Sequence, residues 1–214
     1  LDALDRLLVA KGQFGDLKQV YARKLELTSE PEARIAILSK LGLLFENEVK
    51  DDAEAIKAYL SITDMAPDDK GALAALARLY ERGEKWQELA DVLQRQMVVI
   101  GLEDDRAAHL ELRRKLAETR DLRLGQAASA IEVYRDMLDV DPGNTAARAA
   151  LERKLACKQH RGVAAAVLDP IYEQTADWAQ LVLVQEIKVA AEADPSTRAA
   201  LLLRIGELYR LRLG

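Results

Sequence analysis

Apolar residues recur along almost the whole chain at the three-and-four spacing of amphipathic helices, and sustained two-residue alternation is missing. The pattern predicts twelve helices, at about 1–11, 15–28, 31–48, 52–65, 69–82, 85–100, 104–122, 126–140, 145–158, 162–175, 178–192 and 196–213. The breaks between them have local causes. Ser29-Glu30-Pro31 and Asp194-Pro195-Ser196 set a capping residue ahead of a proline, whose missing N–H costs nothing in a first turn. Pro67-Asp68-Asp69 and Pro142-Gly143-Asn144 end one helix and cap the next. Gly83, Gly101 and Gly125 stand where helix C-termini take left-handed residues. The acidic pairs Asp51-Asp52, Asp68-Asp69 and Asp104-Asp105 all stand at helix starts, where carboxylates accept from unpaired N–H groups and oppose the helix dipole. The short connections make neighbouring helices antiparallel hairpins.

The chain repeats itself. At a shift of 75 residues, Lys40, Leu41, Ala55, Ile56, Tyr59, Asp64, Pro67, Ala72, Leu76 and Arg78 fall on identical residues, among them Ala130, Tyr134, Pro142 and Arg153. A shift of 164 brings Pro31, Arg34, Ala36, Leu38 and Gly42 onto Pro195, Arg198, Ala200, Leu202 and Gly206. Trp86-x-x-Leu89 recurs as Trp178-x-x-Leu181, but at a shift of 92. The excess of 17 is one helix with its turn, so an extra helix interrupts the period. We read it as residues 162–175, kinked where Pro170 deprives the Ala166 carbonyl of a donor, which leaves helix 178–192 in a first-helix slot.

These residues resemble the tetratricopeptide repeat family, whose unit of about 34 residues is a pair of antiparallel helices. Gly42, Phe45, Ala55, Tyr59 and Pro67 occupy the positions of its small and aromatic residues and its closing proline. Ala117, Ala130, Tyr134 and Pro142 do so again, with Arg120 in place of the first-helix aromatic, and Gly206 and Tyr209 begin a further unit. Residues 69–102 and 145–178 match only in part, through Ala77, Tyr80 and Ala164. The resemblance implies an all-α fold, an α-solenoid of about six antiparallel hairpins. The units run roughly 1–30, 31–68, 69–102, 104–142, 145–177 and 178–214, in a single domain 1–214 cut from a longer array. No hairpin buries its apolar face alone, so stacking must supply the core.

Composition agrees. Of 214 residues, 35 are Leu and 35 are Ala, while aromatics make up 5%, which excludes an all-β sandwich. With 50% hydrophobic and 31% charged residues the chain is not of the disordered class. A single cysteine, Cys157, allows no internal disulfide. That leans towards a cytoplasmic setting, although a disulfide-free secreted protein reads the same. The net charge of −5 disfavours non-specific nucleic-acid binding. Residues 106–161 depart from it, with 12 basic and 8 acidic side chains.

No catalytic, metal-binding or cofactor-binding constellation stands out, and we expect no cofactor and no enzymatic activity. His109 and His160 are 51 residues apart, without ligand spacing, and read as solvent-facing or partly packed. Cys157 has cations nearby but no base to activate it. Gly12 and Gly15 lack the Lys-Ser/Thr of a phosphate loop. The basic run Arg113-Arg114-Lys115 reads first as a solvated face neutralised by Glu111, Glu118 and Asp121. Trp86 and Trp178 read as packing between hairpins.

In this repeat type, first helices line the concave face. The resemblance therefore points to Ser39, Asn47, Arg78, Arg82, Arg114, Asp121 and Arg153 as the residues that meet a partner. The expected function is a non-catalytic protein–protein interaction scaffold whose groove takes an acidic or extended peptide. Relatives that clamp C-terminal carboxylates carry Lys and Asn on successive turns. Here those turns carry Ser39 and Leu43, then Arg114 and Glu118, so that activity is not expected. Two other readings fit the chain: an RNA-binding helical-repeat module, and the docking region of a larger enzyme. Helix 196–213 is apolar on two faces, through Leu201, Ile205 and Leu208 on one and Leu202, Tyr209 and Leu213 on the other. It is expected to pair with a second copy.

Overall fold

In a computed structural model, the backbone is described for residues 2–214 and the side-chain environment from residue 6 onward. Among the described residues there are twelve α-helices and no strand. The chain divides into two compact units, Leu1–Ile100 and Gly101–Gly214. The first holds α1 (Asp2–Ala10), α2 (Phe14–Leu27), α3 (Pro31–Leu44), α4 (Asp52–Met65), α5 (Lys70–Arg82) and α6 (Trp86–Val99). The second holds α7 (Arg106–Glu118), α8 (Ala127–Val140), α9 (Thr145–Leu155), α10 (Arg161–Gln174), α11 (Trp178–Ala191) and α12 (Pro195–Leu208). Within each unit, successive helices pack on one another. No helix among the described residues is long and apolar enough to cross a membrane.

The helix starts follow the sequence. Asp51, Asp69, Asp105, Asn144 and Asp194 each accept a hydrogen bond from the backbone N–H three residues on, at 2.7–3.1 Å. Pro31 and Pro195 occupy first turns. Ser29 does not cap: Glu30 holds that place without a side-chain bond.

Six of the twelve helices end in one of two ways, and the two ways alternate along the chain. After α1, α5 and α10 the chain closes in one geometry. Gln13, Lys85 and Asp177 donate their N–H to the carbonyls of Leu8, Tyr80 and Tyr172 at 2.8–2.9 Å. The residue just before each donor, Gly12, Glu84 or Ala176, is left-handed, with φ of 67°, 53° and 57°. The left-handed position after α5 is therefore Glu84, not Gly83, whose φ is −85°. Gly101 is not left-handed either, whereas Gly125 is, with φ of 65°. The second kind of end is a π-helical turn, at Phe45–Val49 after α3, Thr119–Arg123 after α7 and Tyr209–Leu213 after α12.

This alternation locates the extra helix. Helices α1, α5 and α10 end one way, and α3, α7 and α12 the other. Helix α9 ends in neither, closing instead through Cys157, whose carbonyl accepts from Arg161 at 2.8 Å. The inserted helix is thus α9 rather than residues 162–175, and α11 is a second helix, paired with α10 as α6 is with α5. Two helices share work that α5 does alone: α9 packs on α8, and α10 packs on α11. The sequence hid this because α9 matches the start of α5 at a shift of 75, while α10 matches its end at a shift of 92. Pro170 lies inside the continuous α10.

The core is built from small residues set against large ones. Gly42 is buried against Tyr59, and a Cβ on Gly42 would lie 2.7 Å from the Tyr59 ring. Tyr59 and Tyr134 are both buried, as are Ala55, Ala117 and Ala130. These are the packing roles that the repeat assigns.

Candidate functional site

In the first unit, the face expected to meet a partner is partly consumed by ion pairs. Glu46, in the π-turn after α3, is 4% exposed yet ionised, because Arg78 of α5 grips it with two bonds of 2.8 Å. The Arg78 hydrogen bonds, opposed by burial and helped by the charges of Arg78 and Arg82, hold its carboxyl below the usual value. Arg82 makes a similar two-pronged pair with Asp52, at 2.7 and 2.5 Å. Burial first, and the Glu46 charge second, push the nearby Tyr59 phenol up. Arg78 and Arg82 therefore tie α5 to the α3–α4 junction. Ser39 is half-buried on α3.

Asn47 has a different setting. It lines a cleft of about 730 Å³ between α1, α2 and α3. The walls include Val9, Tyr21 and Leu44, with Leu43 50% exposed, and Arg6, Lys40 and Glu48 supply the charges. The cleft exists because α1 and α2 meet α3 through one small cluster, Leu8, Leu17 and Tyr21, with Ile37 and Leu41 packed against it.

The second unit repeats the ion pair with altered chemistry. Asp121 stands 75 residues after Glu46, and its side chain is as little exposed, 4% against 5%. Its partner is Lys154, not Arg153, the counterpart of Arg78. Arg153 is exposed. Arg114 is held along its own helix by Glu111 and Glu118, so the neutralised-face reading of the basic run holds for Arg114, while Arg113 donates to the Asp136 carbonyl at 3.0 Å. Asp121 neutralises Lys154 rather than that run. Tyr134 is pushed up to about 12, mainly by burial and then by the Asp121 charge.

Several groups with polar roles escaped the sequence reading. Asp169 of α10, 9% exposed, accepts from Gln185 and, at 2.7 Å, from Lys188 of α11. Tyr172 donates to Glu152 at 2.7 Å. His109, read as solvent-facing or partly packed, is buried. Trp178 is half-buried with the Arg212 guanidinium 4.8 Å from its ring centre. The Glu46–Arg78 pair did have a signal: an acid and a cation stand at the same two registers 75 residues later, as Asp121 and Arg153.

Residues 72–107, which run from α5 through α6 to the start of α7, match the family model described as tetratricopeptide repeat. A solved structure described as the crystal structure of MamA is similar at 19% identity, over 82% of this chain and 96% of that chain, with a TM-score of 0.46. No curated protein matches the chain significantly. The chain is an all-α protein of antiparallel helical hairpins in which residues 72–107 match a tetratricopeptide repeat model.

Proposed function

We propose that the protein is a non-catalytic interaction scaffold, and that the cleft between α1, α2 and α3 is a place where it takes a protein segment. The cleft carries this reading: about 730 Å³ of concave surface with an exposed leucine in an apolar wall and two cations against one carboxylate. Such a surface suits a short segment that offers apolar side chains to Leu43, Leu44 and Val9 and carboxylates to Arg6 and Lys40. Asn47 would hold the segment's backbone. Arg78, Arg82 and Arg114 serve the scaffold through their ion pairs and meet a partner only at their exposed edges. The match to a tetratricopeptide repeat supports the class of function.

The test is a fluorescence-anisotropy titration of the whole chain with labelled peptides that combine leucines and glutamates. Saturable binding that weakens with Leu43→Asp and with Lys40→Glu is the expected result. Binding unchanged by both substitutions refutes the assignment of the cleft.

A further inference from the structure

The two units carry opposite charge at the same registers. In the first unit, the π-turn after α3 and the end of α5 (residues 45–52 and 78–86) hold six acidic and four basic side chains. In the second, the residues 75 positions later (120–127 and 153–161) hold one acidic and six basic side chains. Phe45, Glu48 and Gly83 give way to Arg120, Arg123 and Lys158. The acids Asp51, Asp52, Glu81 and Glu84 give way to Gln126, Ala127, Ala156 and Gln159.

The fold gathers these cations. Helix α8 reverses the chain between α7 and α9 and packs on both, so α7 and α9 finish at the same end of the second unit. There the ion pair of Asp121 with Lys154 ties the π-turn after α7 to the last turn of α9. Arg161 donates to the Leu155 carbonyl at 2.7 Å and holds the start of α10 beside them. The single acid, Asp121, is neutralised by Lys154. Arg123, Arg153 and Lys158 are exposed, and Arg120 is half-buried. Among the described residues, Arg120, Arg153 and Lys158 form no ion pair. Acids stand at the other end instead, with Asp104 and Asp105 before α7 and Asp139 and Asp141 where α8 finishes. Helices α8 and α10 start at the basic end, and their N-caps, Gln126 and His160, make no side-chain bond, whereas Asp51 caps α4. The N–H groups of those first turns add to the positive field.

We propose that this end of the second unit is a docking surface for an acidic protein segment, whose carboxylates pair with Arg120, Arg123, Arg153 and Lys158. The frame does not need these cations, because the first unit builds the same π-turn with acids. Like charges gathered on one surface repel, and an anionic partner relieves that repulsion. Nucleic acid suits the surface less well. Neither segment contains an aromatic side chain on which a base could stack, and the net charge of the chain is −5. A bilayer suits it less well too, since Leu122 is the one large apolar side chain that the two segments expose. The inference rests on the chain being an interaction scaffold, and not on the cleft beside α3.

The probe is a labelled peptide of glutamate, aspartate and glycine, without leucine, titrated into the whole chain by fluorescence anisotropy. Saturable binding is expected, weakening as salt is added. It falls by roughly tenfold or more in the Arg153→Glu, Lys158→Glu double variant, the scale of losing close charge pairs across an interface. Both residues are exposed, so the variant should keep its fold, which circular dichroism checks. If it does not, Arg153→Gln with Lys158→Gln carries the same test. Arg153→Lys with Lys158→Arg keeps both charges and keeps the binding. Lys40→Glu, in the first-unit cleft, leaves it unchanged, so this surface and the cleft fail separately. The proposal is overturned by absence of saturable binding, by binding indifferent to the double charge reversal, or by an equal loss with Lys40→Glu. Tighter binding of oligouridine, or of vesicles of phosphatidylcholine and phosphatidylserine, that the same double variant abolishes names another class of partner and also overturns it.

Discussion

Residues 31–82 and 106–155 are two versions of one three-helix frame, and they differ most in how they handle a buried carboxylate. In the first, Glu46 is clasped by Nε and Nη2 of Arg78, with Arg82 and Asp52 beside it. In the second, Asp121 meets the single ammonium of Lys154, while the residue aligned with Arg78 faces solvent. A planar guanidinium matches both oxygens of a carboxylate at once, whereas an ammonium meets it as a point charge. The shorter aspartate in the second frame goes with a cation one position further along the helix. The comparison shows that the two frames keep the burial of an acid and its neutralisation, not the residue that supplies the cation.

The largest effects should come from what the two frames share. Tyr59→Ala and Tyr134→Ala should each cost about 3–5 kcal/mol, the scale of deleting a buried aromatic. Urea unfolding of the whole chain measures this, and a loss below half a kcal/mol at either site would break the equivalence of the frames. Gly42→Leu should cost about 1–3 kcal/mol by overpacking against Tyr59. Gly206→Leu has no such neighbour and should leave stability unchanged or raise it, since leucine favours a helix over glycine.

The next effect separates the frames. Arg78→Ala leaves Glu46 buried without its main partner and should cost about 1–3 kcal/mol. Arg153→Ala at the same register should cost less than about 0.5 kcal/mol, as exposed positions do. Lys154→Ala should take the place of Arg78→Ala in the second frame. Equal losses for Arg78→Ala and Arg153→Ala would refute the division of roles.

The smallest effect is a pH dependence. Glu46 has its carboxyl held below the usual 4.5, so the folded state binds a proton there less readily than the unfolded chain. Its contribution to stability is present above pH 4.5 and is lost as the pH falls through the folded value. Stability curves of Glu46→Gln should therefore be flatter in acid than those of the unaltered chain. At the alkaline end Tyr134 is raised to about 12, so its contribution is present below the ordinary value of 10 and is lost between 10 and about 12. Tyr134→Phe should remove that part of the alkaline loss.

Much of the frame was legible in the chain. The caps at Asp51, Asp69, Asp105 and Asn144 depend on one side chain and a backbone N–H three residues away, so local sequence decides them. The small-against-large packing of Gly42 and Tyr59 was legible because it recurs at a fixed shift. The candidate surface was legible only as a register. Ser39, Asn47, Arg78, Arg82, Arg114, Asp121 and Arg153 were all drawn from it, yet within their units they meet different fates. Asn47 lines a cleft, Arg153 faces solvent, and Arg78, Arg82, Arg114 and Asp121 are held in ion pairs.

By itself, then, the sequence determined the helices, their caps and the identity of the packing pairs, because each depends on residues a few positions apart or on a repeated spacing. Which helix is the insertion, whether α9 or α10, was left to the tertiary structure. Both resemble α5, and the way each one ends, together with the helices it packs against, tells them apart. The same holds for the charges. An arginine's chemistry is set by its sequence, but whether it grips a buried carboxylate, as Arg78 does, or meets water, as Arg153 does, depends on which acid the folded chain brings within 3 Å of it.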